Sequence, residues 1–461
     1  MQKHHQHKKF TEMKKTICIA VIAVVFVTGN ALGQTVQKIT LQEAINIAVE
    51  NNYQLKQAEN NLELADANIL NSMADFLPSI NGSSTASRGV GRTFNSNTGQ
   101  IEDNPNNSFS MSVSASMPIF MGFQNINGLR NSQQTKISRE ESLKRAKESL
   151  IFTTATNFLQ VILTRELLEI DKENLATSIK QLEQVQAQVE VGSRAAVDLY
   201  NQQAQVANDE LTITQRENTL SINELQLIRQ LQIDPLGNYE FVNPKAGVEN
   251  VITMDYDLEA LISEALVGRA DIRSEEASIE ALKYSLYATQ GNILPSLTFS
   301  TSLSTSWDER IKEAGVNFND QFFDQNIYRS FRLNLSIPIF NNLDRKYSIQ
   351  SSKIQLKNAK LTLDNSKLEV VQEVTQAYND YVSYKKQKEA TAKSLFASEK
   401  AFETQQERYN VGASTLIELS QAQATYTTAQ SNYTQVLYNL IFQEKLLDYY
   451  LGKLSEQNIT F

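Results

Sequence analysis

Cysteine, histidine and proline are scarce in this chain of 461 residues. The one cysteine, Cys18, and the three histidines, His4, His5 and His7, all sit near the N-terminus. There, Lys14 and Lys15 precede an apolar stretch, Ile17 to Val27, and Ala31-Leu32-Gly33 offers the small residues of a cleavage site, so residues 1–33 read as a secretory signal. Met13 supplies an alternative start. Cys18 lies at the front of the apolar stretch, which argues against a lipoprotein anchor. Cleavage after Gly33 leaves a mature chain without disulfide, thiolate nucleophile or imidazole, so general-base and metal chemistry built on those groups is excluded. No catalytic, cofactor or metal site is expected. Cleavage also removes five lysines and one glutamate, taking the formal charge from −9 to about −13. That balance excludes nucleic acid as a partner, because phosphate binding needs a basic surface. Long apolar runs are missing too: the stretch after Lys15 is too short to span a membrane as a helix, and none of the later segments is longer.

Seven prolines and 16 glycines are few for this length, and proline interrupts helices. None of the prolines falls within 119–234 or 339–461, so both stretches are expected to be helical almost throughout. Self-comparison explains the symmetry. Leu41 to Ile80 aligns without gaps on Leu258 to Leu297, carrying Glu59 onto Glu276 and Leu77-Pro78-Ser79 onto Leu294-Pro295-Ser296. Three residues are then inserted. Beyond them Pro118-Ile119-Phe120 lands on Pro338-Ile339-Phe340, and Val191-Gly192 on Val411-Gly412. The period is far longer than a solenoid repeat, so the chain is a duplicated domain-sized unit. The expected organisation is a first repeat over 34–234, a link over 235–257 and a second repeat over 258–461.

Within the proline-free stretches apolar residues recur every seven. Leu199, Val206, Ile213, Leu220 and Leu227 correspond to Leu419, Tyr426, Tyr433, Leu440 and Leu447, and Val161, Leu168, Leu175, Leu182 and Val189 keep the same period before Gly192. A strict heptad makes neighbouring helices supercoil left-handedly. A helix from about Leu129 to the first glycine is roughly 90 Å long at 1.5 Å per residue, so it projects from any globule. Gly192 and Gly412 mark where each arm ends and reverses, since glycine accepts the left-handed C-cap conformation. Between the prolines the period changes to two. Phe109, Met111, Val113, Ala115 and Met117 alternate with serines, and so do Leu297, Phe299, Thr301 and Leu303; Phe331, Leu333 and Leu335 alternate with Arg332 and Asn334. Strands are expected at about 79–90, 108–118, 296–307 and 327–338. Their length and their one apolar face suit tilted membrane strands, with polar loops over 89–107 and 308–324 facing outward.

Four strands do not close a membrane barrel, and open edges are not tolerated in lipid. The chain therefore has to share a barrel with other chains, although this reasoning does not choose how many.

The duplicated Leu-Pro-Ser strand start, the Pro-Ile-Phe strand end, and Tyr409-Asn410-Val411-Gly412 followed by Glu418-Leu419 and Gln423 resemble the TolC-type outer-membrane efflux family over essentially the whole mature length. The first repeat carries a weaker version in Val191-Gly192, Asp198-Leu199 and Gln203. The resemblance implies a mainly α protein with a membrane β-barrel: a homotrimer whose twelve-stranded barrel takes four strands per chain, above a long coiled-coil α-barrel crossing the periplasm of a Gram-negative-type envelope. It implies docking to a periplasmic adaptor and an inner-membrane pump through tips at Val191, Gly192 and Ser193 and at Val411, Gly412 and Ala413. It also implies a periplasmic entrance ringed by two acidic positions. The first is Glu418, with Asp198 as its counterpart in the first repeat; the second falls on Gln421. Three copies of Glu418 would focus a negative field at a constriction; the plain alternative is a solvated helix charge. The resemblance further implies a tyrosine and an arginine near the turn that help hold the tip closed, as in one member of the family; Tyr409 matches the tyrosine, while the arginine position is Ser414.

The function expected is a passive exit duct energised from the inner membrane, there being no phosphate-binding Gly-Lys loop. Two other classes stand beside it. An enzyme would need a serine or carboxylate constellation, which the sequence does not suggest. A structural or adhesive coiled-coil surface protein would not need duplicated alternating hairpins inside proline brackets.

Overall fold

The structure, a computed structural model, describes residues 36–95, 99–103, 106–242, 255–309 and 315–454. The expected signal over 1–33 lies outside them, as do Pro105, Pro244 and much of the expected link. In chain order the elements are β1 (Gln37–Ile39), α1 (Leu41–Asn51), α2 (Tyr53–Ala74), β2 (Ser79–Gly89), β3 (Arg92–Asn95), β4 (Gln100–Asp103), β5 (Asn106–Met121), α3 (Gln124–Glu190), α4 (Ala196–Leu231), β6 (Tyr239–Phe241), α5 (Leu258–Gly268), α6 (Ala270–Gly291), β7 (Ser296–Asp308), β8 (Tyr328–Ser336), α7 (Asp344–Asn410) and α8 (Leu416–Tyr450).

Local chemistry sets the helix starts. Thr40 and Glu43 form a reciprocal capping box at α1, and the Asn52 side chain accepts from the backbone N–H groups of Gln54 and Leu55 at α2. The arms α3 and α7 each have 67 residues, about 100 Å at 1.5 Å per residue. Both begin after two consecutive left-handed residues, Gly122-Phe123 and Asn342-Leu343. That geometry turns the chain out of its strand straight into the helix, so α3 starts at Gln124 rather than near Leu129. Gly122 is needed at its turn for a second reason: a Cβ there would lie 2.3 Å from the Gly291 carbonyl oxygen.

β2, β5, β7 and β8 form one antiparallel sheet in that order. The two hairpins join through β5 and β7, which leaves β2 and β8 as edges. β5 runs past Pro118, which pairs with Thr298 next to a register shift; proline is tolerated at such irregularities. The outer loops differ from their polar description. The first carries a small hairpin, β3 with β4. The second folds a short helical turn, Phe318 to Gln325, whose Phe318 and Phe322 pack on Phe109, with Phe318 also against Trp307. A further two-stranded parallel sheet, β1 with β6, ties the start of the first repeat to the link that follows it; alternation over three residues is too short to announce it.

The core lies at mid-height of the helical part. One cluster joins α1, α3 and α4 around Ile45, Phe158, Ile162, Leu227 and Phe241, and a second joins α5, α7 and α8 around Val374, Tyr381, Leu440 and Leu447. Arg269, at the break between α5 and α6, bonds both carboxylate oxygens of Asp271 (3.1 and 2.6 Å) and reaches Glu373 of α7 at 2.5 Å.

The repeats contact each other unequally. Within the chain β5 pairs with β7, and α3 packs on α6 and α8. The counterparts by symmetry, β8 with β2 and α7 with α2 and α4, are not among the substantial contacts of the described residues.

Candidate functional site

The far ends of the two arms are built alike. At each, the helix closes in a Schellman turn: Gly192 N–H donates to Val189 O and Ser193 N–H to Gln188 O, while Gly412 N–H donates to Tyr409 O and Ala413 N–H to Arg408 O. The glycine φ angles are +72° and +74°. The six expected docking residues are all exposed, and Val191 and Val411 are each 78% exposed. Ile417 and Val197 add apolar surface beside them.

Behind the tips the hairpins clasp each other. Tyr409 is 2% exposed and packs with Val185, Leu416 and Leu419. The Arg194 guanidinium lies over its ring at 4.5 Å from the centroid and pairs with Asp198 at 3.7 Å. Burial pushes the Tyr409 phenol above its ordinary pKa. Self-comparison places Arg194 at the counterpart of Ser414, two residues past the glycine in each repeat. The guanidinium that stands over Tyr409 thus comes from the first tip. The repeat alignment held that signal, but reading the second tip alone missed it.

Glu418 has a local role. It is the third residue of α8 and forms a capping box with Thr415: its carboxylate accepts from Thr415 N–H at 3.0 Å and Ser414 Oγ at 2.8 Å. The Thr415 backbone bond, with Ser414, holds its carboxyl below the usual range. Its charge therefore persists at the tip, where Gln421 is also exposed. The first repeat has Ala195 in place of Thr415 and lacks that box.

Above the tips the helix interface becomes polar. Gln181 donates to Gln423, Gln202 to the Ser178 carbonyl, and Gln423 and Thr427 both to Asn174 Oδ1. Asp171, Ser178, Gln181 and Asp209 are buried there, whereas the heptad residues Leu175 and Leu182 are only half-buried. The expected apolar seam is therefore partly replaced, because α3 faces two helices, α4 and α8, and turns polar positions toward both. Polar groups inside a coiled coil specify register at a cost in stability.

At the other end the sheet register sorts side chains onto two faces. One carries Ile80, Met111, Val113, Phe299, Leu303 and Leu333. The opposite face is mostly serine, with hydroxyl pairs Ser83–Ser112, Ser87–Ser108 and Ser302–Ser330 at 2.7–2.8 Å. An apolar face and a hydroxyl face on one sheet fit lipid on one side and water on the other.

Comparison with known proteins agrees with this geometry. A family model described as outer membrane efflux protein matches residues 44–231 and 261–453, one segment per repeat. The chain is similar to the outer membrane efflux protein BepC of Brucella suis, 20% identical over 441 residues and covering 95% of this chain and 91% of that one. It is similar to the outer membrane protein TolC of Vibrio cholerae, 22% identical over 454 residues and 97% of each chain. Its fold is similar to that of the Campylobacter jejuni CmeC outer membrane channel, with a TM-score of 0.79 over 91% of this chain and 87% of that one at 18% identity.

Proposed function

The chain belongs to the outer membrane efflux protein family and is an outer-membrane exit duct, and from that premise we propose how the duct is assembled and engaged. Three copies close a twelve-stranded barrel over a continuous helical tunnel. The observation that carries this reading is the unequal contact between repeats. Among the described residues, each substantial inter-repeat contact made inside the chain has a counterpart left open at its outer faces.

Two exposed features stand where those counterparts would form. The sheet ends in unpaired strands, β2 and β8, and lipid supplies no hydrogen bonds to such edges. Along α7, Tyr347, Ile354, Leu361 and Leu368 form an exposed apolar stripe at seven-residue spacing; along α2, Leu64, Leu70 and Met73 are exposed. In the first repeat the counterparts of Leu361 and Leu368 are Glu141 and Glu148, which are engaged near α6: Glu141 with Arg273 and Glu148 with Arg145. A ring in which α7 of one copy meets α2 of the next covers the apolar stripe and repeats the internal arrangement around the axis.

The exposed tips, Val191 to Ser193 and Val411 to Ala413, then dock a periplasmic adaptor that leads to an inner-membrane pump. Tyr409, clasped by Arg194 and Asp198, holds the two hairpins of one copy together at the entrance, and Glu418 with Gln421 lines it. The duct performs no chemistry of its own; its relatives are efflux proteins.

The test is the native mass and conductance of protein extracted from the outer membrane. Wild type is expected as a trimer that conducts in planar bilayers. Leu361→Arg combined with Leu368→Arg is expected to yield monomers without conductance. A wild-type protein that is monomeric and water-soluble would overturn the reading.

A further inference from the structure

The hydroxyl face of the sheet holds one charge that its surroundings do not neutralise. Ser300 pairs with Arg332 in the β7–β8 register, which puts Arg332 on the face of Ser302, Ser330 and Asn334 and opposite to Phe331 and Leu333. Between the helix-side end of the strands and their outer rim, that face carries hydroxyls, amides, one proline, and Tyr328 near the top. The other charged residue on it is Asp308, at the outer end, where Asn106 donates to it. Arg332 is exposed, and it has no ion pair among the described residues.

Closure of the barrel does not change this. The strand that would flank β8 in the next copy is β2, whose residues on the same face are Ser79, Asn81, Ser83, Thr85 and Ser87. None is acidic. A guanidinium is charged at every accessible pH, so each copy contributes one permanent positive charge to a lumen that is otherwise neutral at that depth.

We infer that Arg332 is a selectivity-determining residue of the duct, forming a ring that favours anionic over cationic solutes as they pass the barrel. Rings of basic side chains favour anions in pores by the same field that acidic rings use for cations. The inference rests on the trimeric barrel proposed above. Three charges around a water-filled lumen, screened over a Debye length of about 8 Å at physiological salt, bias the cation-to-anion permeability ratio about twofold, and more as salt is lowered.

The experiment uses the full-length protein in planar lipid bilayers with a KCl gradient. Arg332→Gln is expected to raise the potassium-to-chloride permeability ratio about twofold, and Arg332→Glu further. A ratio that stays unchanged in both variants at low and high salt would overturn the role of Arg332. Cysteine labelling separates that failure from failure of the barrel itself, since Cys18 is the only cysteine in the sequence and lies in the expected signal. A charged, membrane-impermeant methanethiosulfonate should modify Arg332→Cys and spare Phe331→Cys. The reverse pattern would reject the assignment of faces and the inference with it. The expected labelling with an unchanged ratio would leave the barrel standing and sink only the selectivity role.

Discussion

Replacing Arg269 with methionine should weaken the joint between the α5–α6 break and α7 by an amount the structure allows one to estimate. The Arg269 side chain is 6% exposed and satisfies three carboxylate oxygens, two on Asp271 and one on Glu373. Removing one partner of a fully buried ion pair costs about 3–5 kcal/mol, because the remaining charge is left without compensation. Here Asp271 and Glu373 keep 34% and 42% of their side chains exposed, and solvent screening lowers the figure. About 2–3 kcal/mol is expected, a change of roughly 30- to 150-fold in the folded-to-unfolded ratio. The assay is denaturant unfolding of the detergent-solubilised protein, followed by circular dichroism. The pH dependence supplies an internal check. Burial alone would raise the Asp271 carboxyl, but the Arg269 hydrogen bonds and the Arg145 charge more than reverse this and hold it below its ordinary value. A depressed folded-state pKa contributes stability above the unfolded carboxylate range and loses it as pH falls through the folded value. The gap between wild type and Arg269→Met should therefore be full at neutral pH and shrink in acid below about pH 4. Equal stability at neutral pH, or a gap that widens in acid, would refute the assignment of this ion cluster as the joint.

Three further outcomes follow from the same structure. Tyr409→Phe should unfold within about 0.5 kcal/mol of wild type, since the buried hydroxyl has no hydrogen-bond partner among the described residues, whereas Arg194→Ala should raise conductance by loosening the clasp without unfolding the arms. Gly291→Ala should destabilise by about 1–3 kcal/mol, because the added Cβ would lie 2.2 Å from the Gly122 carbonyl oxygen; thermal melting reads it. Gly412→Ala should cost only about 1–2 kcal/mol of backbone strain, because a Cβ there meets no atom within 4 Å, and adaptor pull-down from envelope extracts checks whether docking survives.

Much of the architecture is periodic, and periodicity is legible in sequence. The heptads and the absence of proline announce α3, α4, α7 and α8, and alternation announces the strands, because each pattern reports one repeating backbone geometry. The duplication was readable too, and α3 and α7 have the same length. Elements held by few residues were not legible. β1 and β6 pair across some 200 positions over three residues each, and the aromatic turn at Phe318–Phe322 sits inside a segment whose composition reads as polar.

The sequence alone determined the repeat, the long arms, the tip glycines and the two faces of the strands, since each follows from local backbone preference and spacing. Only the tertiary structure decided which repeat serves which. It put Arg194 of the first tip over Tyr409 of the second, gave Glu418 a capping partner, and turned glutamines rather than leucines into the interface above the tips. It also joined β5 to β7 and left β2 and β8 open. These are choices between partners of similar local chemistry. They are made by the distance and orientation that remote segments reach on packing, which spacing along the chain does not encode.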